Sequence, residues 1–369
     1  VPLLEKKPVR NSRSHVSDLL AVLLLVVILG GLGWLWLHQK HPKQHAKIST
    51  KNSVAAITVP AVVAEKPKPI PKPLVIAPQA TADFPRPVRD VFEAQVALVR
   101  QGISPGSLDA AIGSQTRAAI AAFQRSENLS VSSALDTNTR AMLLLDAPLL
   151  TTYAVTTNDL ARLQPIGKTW LEKSQQSALD YETILELVAE KAHAHPLLIQ
   201  KLNPGVDWTN VVAGTVLKIP AAEYPEPSDK AAFVVIHLSA KFLEAFDAAT
   251  NLLLHCPCSI AAKVEKRPVG ELHVKDVAPH PNYTFDPAVF PESPEAQAIG
   301  HKLILPPGPN NPVGQAWLSL DKPGYGIHGT PVPEQVGRTE SHGCFRLANW
   351  DAEYFLKLAW IGLPVTVVP

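Results

Sequence analysis

The sequence predicts a multidomain chain: an N-terminal transmembrane helix, a small all-α three-helix module, a mixed α+β module and a mainly-β C-terminal domain. Three observations predict it. Residues 19–37 form an apolar run without a charge. Prolines crowd the stretch that follows, where nothing is periodic. After residue 85 the apolar spacing is helical, and beyond about residue 231 it becomes that of short strands separated by Gly, Pro, Asn and Asp. A chain of 369 residues has room for two or three such modules.

As a helix the run LLAVLLLVVILGGLGWLWL would span roughly 28 Å, close to the hydrocarbon thickness of a bilayer. Trp34 and Trp36 stand at its far end, where indoles favour the interface. The run is long for a signal peptide and no A-x-A site follows it, so an uncleaved anchor is expected, with residues 1–18 as a cytoplasmic tail. Lys6, Lys7, Arg10 and Arg13 before the segment are nearly balanced by Lys40, Lys43, Lys47 and Lys51 after it, so charge alone does not orient it. His38, His41 and His45 share helical spacing but have no Cys, Asp or Glu nearby to complete a ligand set; they are read as a solvated face and no metal is expected. Residues 38–84, with EKPKPIPKPLVIAP, read as an extended polyproline spacer.

Residues 85–148 carry Val88, Val91, Phe92, Leu98 and Val99 on one helical face, then Ile120 and Phe123 on a second, then Asp136 as N-cap of a third. Residues 152–222 read as strand, helix, helix, strand: Tyr153 in the first strand, Ile184 to Val188 helical, Pro196 in the first turn of a further helix, and GTVLKIP closing. In residues 231–369 the runs FVVIHL, KFLEAF, LLLHCPCSI, KLILP, AWLSL, YGIHG and VTVV predict strands, and Trp350 to Trp360 a helix with Asn349 as N-cap and Gly362 beyond its end.

A net charge of +1 gives no global field that would point to nucleic acid. Three cysteines, Cys256, Cys258 and Cys344, are too few for a disulfide framework. Cys256 and Cys258, two apart, would share one face of a strand and are read as packing residues. Cys344 sits in GIHGTPVPEQVGRTESHGCFRL. A thiol becomes a strong nucleophile as a thiolate, and an imidazole can take its proton. Two imidazoles are candidates: His342, two residues away, and His328, at the end of a strand and able to reach the thiol through a folded loop. Gly329, Gly337 and Gly343 permit close backbone approach. The N–H groups of Gly343 and Cys344 could serve as an oxyanion hole, and Arg346 suits a carboxylate. Trp317, Trp350 and Trp360 are read as core packing, and His237, His255, His273, His280 and His301 as structural or exposed.

At these residues the chain resembles the L,D-transpeptidase (YkuD-type) catalytic domain: His328-Gly329-Thr330, then Gly337, then Ser341-His342-Gly343-Cys344-Phe345-Arg346-Leu347 stand at that family's spacing. A Pro-x-Gly turn, Pro268-Val269-Gly270, lies upstream, as in the family. The resemblance implies attack by Cys344 on the third, L-centred residue of a peptidoglycan stem tetrapeptide, with His328 as base oriented by the carbonyl of Gly329. D-Alanine leaves, a thioester remains, and an amine of a second stem resolves it as a 3→3 cross-link. Ser341, His342, Gly343, Arg346 and Thr330 would shape the oxyanion and substrate pockets. No cofactor is implied. Resolution by water would make an L,D-carboxypeptidase; resolution by a protein lysine would anchor an envelope protein; weak catalysis would leave a wall-binding tether.

Gly102, Gly106, Leu108, Asp109, Gly113, Thr116, Arg117, Phe123 and Gln124 resemble the three-helix peptidoglycan-binding module, with Ala110 in place of a glycine after Asp109. Leu202-Asn203-Pro204 and Gly214, Leu217, Ile219, Pro220 are similar to the late half of a LysM module, whose start is interrupted by an insertion at about 157–180. These resemblances imply peptidoglycan stem peptides and glycan strands as partners. Together with the apolar run at 19–37, which would make the chain a single-pass inner-membrane protein, they imply a catalytic domain in the periplasm or outside the cell.

Overall fold

The computed structural model describes residues 84–339, 341 and 343–369. The expected tail, anchor and spacer, with His38, His41 and His45, lie outside the described residues. Among the described residues no helix is long and apolar enough to cross a membrane.

The helical module opens with β1 (Arg86–Pro87) and α1 (Val91–Val99), followed by α2 (Ser114–Ser126), α3 (Thr137–Met142) and β2 (Leu144–Leu145). Asp136 caps α3 as expected, accepting from Thr139 N at 2.9 Å. The apolar residues after α3 do not extend it: Leu144 and Leu145 pair antiparallel with Pro87 and Arg86. Buried Gln95 organises the turn before α2. Its Oε1 accepts from Ala110 N at 2.9 Å, and its Nε2 donates to Asp109 Oδ1, Ala111 O and Thr116 Oγ1 at 2.9–3.1 Å. Asp109 and Thr116 of the module pattern are therefore spent on the turn. Ala110, standing where that pattern has glycine, has φ 62°, a left-handed conformation that costs an L-residue with a Cβ roughly 1–2 kcal/mol. Ala110→Gly is expected to raise stability by about 1 kcal/mol, less the extra freedom glycine gains on unfolding, as read by thermal unfolding.

The second module has the expected order with additions. β3 (Leu150–Ala154) pairs antiparallel with β4 (Val216–Pro220), and α6 (Ile184–Lys191) and α7 (Pro196–Leu202) lie between them in sequence. Thr183 caps α6 and Pro196 opens α7. The insertion holds two short helices, α4 (Thr157–Ala161) and α5 (Trp170–Ser174), each started by a capping box. The two modules are not separate beads. Val88, Leu98, Leu108, Ile120, Leu187, Ile199 and Leu217 belong to one core, and Leu108 exchanges backbone bonds with His193 and His195 across the boundary.

The C-terminal domain is built on an eight-stranded mixed sheet of order β13-β12-β11-β8-β14-β5-β6-β7. Its strands are β5 (Phe233–His237), β6 (Phe242–Phe246), β7 (Leu252–Pro257), β8 (Gly270–Pro279), β11 (Ala316–Leu320), β12 (Gly326–His328), β13 (Phe345–Arg346) and β14 (Pro364–Val368). β9 (Tyr283–Phe285), α8 (Pro294–Ile299) and β10 (Leu303–Leu305) form a separate excursion in which β9 and β10 pair, so the KLILP run is not in the main sheet. α9 (Asn349–Leu358) buries Ala352, Phe355 and Leu358 against Leu318, Ile327 and Val365 of the sheet. The edge strand β7 is covered by the helical module: Ser104 N donates to His255 O at 2.7 Å and His255 N to Gly102 O at 3.0 Å. Covering removes an open edge from solvent. Arg125 of α2 adds an ion pair to Glu244 of β6, and that carboxylate also meets His255 at 3.0 Å and His237 at 3.7 Å, giving two of the unassigned histidines their partner. Cys256 and Cys258 are fully buried in the sheet core, as read.

Candidate active site

Strand alternation builds the site. In β11, Ala316, Leu318 and Leu320 point into the core, which turns Trp317 and Ser319 to the opposite face. In register, Trp317 stands beside His328 and Ser319 beside Gly326. β13 runs parallel to β12 with Ile327 beside Phe345 and His328 beside Arg346. Ile327 and Phe345 enter the core. His328 and Arg346 therefore share the other face, and Cys344, the residue before β13, joins them there. All three line a cleft of about 730 Å³.

The histidine is buried and held from two sides. Its Nδ1 donates to Gly329 O at 2.6 Å, which leaves Nε2 without the proton and able to accept one. Its ring stacks on Trp317, with centroids 5.5 Å apart and planes at 26°. This corrects the sequence reading of Trp317 as core packing: it walls the cleft. Gly326 is required by the same contact, because a Cβ there would lie 2.6 Å from the indole of Trp317. Burial lowers the imidazole to about 4, with Arg346 adding in the same direction and the Gly329 hydrogen bond opposing. Burial raises the Cys344 thiol, against the Gly326 N–H and the Arg346 charge, which favour the thiolate. At rest the imidazole is neutral and the thiol protonated, with Cys344 Sγ donating to Gly324 O at 3.7 Å.

The sign of the pH dependence follows. An imidazole with a lowered pKa stays able to accept a proton until the pH falls through about 4, whereas an ordinary histidine would lose that ability near 6.5. Acylation of Cys344 is expected to stay flat from neutral pH to about pH 5 and to fall as pH approaches 4, measured as a pH–rate profile with tryptophan fluorescence as a folding control. A fall centred near 6.5 would contradict the buried, neutral histidine.

The nucleophile loop is stitched to the segment after β7. Ser259 N donates to Arg346 O at 2.8 Å, Arg346 N to Ser259 O at 3.0 Å, and Ser341 N to Ile260 O at 2.8 Å. Ser341 is buried; its Oγ donates to Cys344 O at 2.5 Å and accepts from Gly343 N at 3.2 Å. It shapes the turn that carries the thiol. The Gly343 N–H, expected in an oxyanion hole, is engaged by that hydroxyl in this conformation. His342 lies outside the described residues. Thr330 is buried; its N–H donates to Asn349 Oδ1 at 3.0 Å.

Asn349 differs from its expected role. The N-cap of α9 is Ala348, and Asn349 is the first helical residue. Its fully buried amide is used elsewhere: Oδ1 accepts from Thr330 N and from Gln315 N at 3.2 Å, while Nδ2 donates to Glu190 Oε2 of α6 at 2.9 Å and to Pro309 O at 3.2 Å. It sits so close to Gly314 and Gly329 that a Cβ at either would come within 2.0–2.3 Å of its oxygen. Asn349 thus pins the loop whose Gly329 carbonyl orients His328. Trp350 is buried as expected and stacks on His193, whereas Trp360 is largely exposed with Nε1 bound to Ala231 O at 2.8 Å. Among the described residues no group of His, Cys, Asp and Glu could hold a metal ion.

Comparison with known proteins matches two parts of the chain to families. A family model for the L,D-transpeptidase catalytic domain (YkuD) matches residues 231–367, and one described as "Putative peptidoglycan binding domain" matches residues 88–143. The "Putative L,D-transpeptidase YkuD" of Bacillus licheniformis is 25% identical over 188 residues, covering 51% of this chain and 94% of that protein. The "Probable L,D-transpeptidase YcfS" of Escherichia coli is 27% identical over 188 residues, covering 50% of this chain and 58% of that protein. The crystal structure of L,D-transpeptidase 3 from Mycobacterium tuberculosis matches at 17% identity and a TM-score of 0.29, over 43% of this chain and 77% of that one. Residues 231–367 of this chain are an L,D-transpeptidase catalytic domain, and residues 88–143 ahead of it are a peptidoglycan-binding domain.

Proposed function

We propose that the chain is a cysteine L,D-transpeptidase that forms 3→3 cross-links in peptidoglycan through a thioester on Cys344. The observation that carries this reading is that Cys344, just ahead of β13, and His328 of β12 line one cleft, with His328 Nδ1 donating to the Gly329 carbonyl. In the first half-reaction the Cys344 sulfur bonds to the carbonyl carbon of the third stem residue as its proton passes to His328 Nε2. The bond to D-alanine breaks, and the departing amine takes that proton. In the second, the amine of another stem attacks the thioester, His328 Nε2 accepts its proton, and the thiol regains one as the amide forms. Arg346, beside His328 in register, offers a cation to a substrate carboxylate.

The peptidoglycan-binding domain supports retention on the wall, to which the second module would add if its resemblance to the late half of LysM extends to glycan binding, and the apolar run at 19–37 is the basis for proposing a membrane anchor with the catalytic domain outside the cytoplasm. Incubation of the purified protein with defined stem tetrapeptides tests the reaction by mass spectrometry. A dimer with loss of one D-alanine is expected. Tripeptide without dimer would assign the L,D-carboxypeptidase reaction instead, and release of no D-alanine would defeat the proposal.

A further inference from the structure

The insertion in the second module has a place in the catalytic cleft. Its helix α5 packs on the β9–β10 excursion of the catalytic domain. Trp170 stacks on Phe285 with centroids 4.5 Å apart and planes at 17°, and its backbone N–H donates to Glu295 Oε1 at 2.5 Å. Leu179, at the end of the insertion, is fully buried in the same cluster and exchanges backbone bonds of 2.9 Å with Pro307 and Asn310. These contacts fix α5 as one wall of the cleft that holds Cys344, with Trp170 and Lys173 in its lining.

We infer that Lys173 is a specificity-determining residue, placed to pair with a carboxylate of the stem peptide bound in this cleft. The inference rests on the reading of the cleft as a stem-peptide site. The Lys173 ammonium lies 5.4 Å from the centroid of the Trp170 ring, a cation–π contact that favours its place at the cleft wall. Among the described residues it makes no ion pair, although Glu182, Glu186, Glu190 and Glu334 line a smaller cleft that it also borders. Among the described residues lining the Cys344 cleft, the cations are Lys173 and Arg346 and there is no Asp or Glu. Arg346 stands beside His328 in register and serves the part of the substrate near the reacting carbonyl. Lys173, supplied from another module, serves a carboxylate further along the peptide. A cation already positioned loses less freedom on binding, so its pairing contributes to affinity more than that of a mobile surface lysine.

Binding of stem tetrapeptides to the full chain carrying Cys344→Ala, measured by calorimetry, tests this. One peptide keeps all its carboxylates; the others are amidated one carboxylate at a time. Lys173→Met is expected to weaken the fully acidic peptide about tenfold. It should leave unchanged the one singly amidated peptide that lacks the lysine's partner, and Lys173→Arg should restore affinity. Equal weakening of every peptide, or none, would overturn the role of Lys173 while turnover of the acidic peptide by the parent chain still upheld the transpeptidase reading. Absence of both binding and turnover would overturn the two together.

Discussion

His328→Gln is expected to slow acylation of Cys344 by about 10²–10⁴-fold at neutral pH without unfolding the protein. Glutamine has a donor able to satisfy the Gly329 carbonyl and enough bulk to pack on Trp317, but no nitrogen lone pair to take the proton from the thiol. The size of the loss follows from the resting state. Burial keeps Cys344 protonated and His328 neutral, so few thiolates stand ready, and attack depends on transfer to Nε2. Raising the pH should rescue the variant in part, because hydroxide then removes the proton that glutamine cannot. A variant within threefold of the parent across the pH range would mean that the thiolate forms without this imidazole.

Asn349→Ala is expected to cost about 2–4 kcal/mol of stability. It removes the acceptor for the N–H groups of Gln315 and Thr330 and the donor to Glu190 and Pro309, at a fully buried position that alanine cannot satisfy. Glu190 is itself raised to about 7 by burial, with the Asn349 and Tyr181 hydrogen bonds favouring its charged form; without the amide its carboxyl should hold a proton to still higher pH. Loss of the pin also frees the Gly329 carbonyl. Acylation should therefore slow, by about tenfold, even at temperatures where the variant stays folded. Calorimetry and the acylation rate read the two effects separately. A normal rate in a destabilised variant would confine Asn349 to a structural role.

The gathering of Cys344, His328 and Arg346 in one cleft was legible because they lie close in sequence or at fixed glycine spacing. The strands beginning FVVIH, KFLEAF, AWLSL and VTVV were legible from their apolar runs. β8 was not: GELHVKDVAP carries charges and buries only Val274, and it is a strand because it pairs with β11 on one side and β14 on the other. The role of Trp317 was half legible, since the alternation of Ala316, Leu318 and Leu320 turns it from the core; that it meets His328 depends on register. Asn349 read as a cap because Asn before an apolar helix ordinarily is one. Its use as a pin depends on Gly314, Gln315 and Thr330 arriving from separate segments, which no local pattern encodes. The insertion at about 157–180 read as an interruption because its partner, the β9–β10 excursion, lies more than 100 residues along the chain.

The central claim is that Cys344 is the acyl acceptor of this cleft. Intact-mass spectrometry of the purified protein after exposure to a carbapenem tests it most directly. One adduct per chain is expected, located by peptide mapping on Cys344 and absent from Cys344→Ala. An unmodified parent chain, or an adduct that persists in the alanine variant, would contradict it.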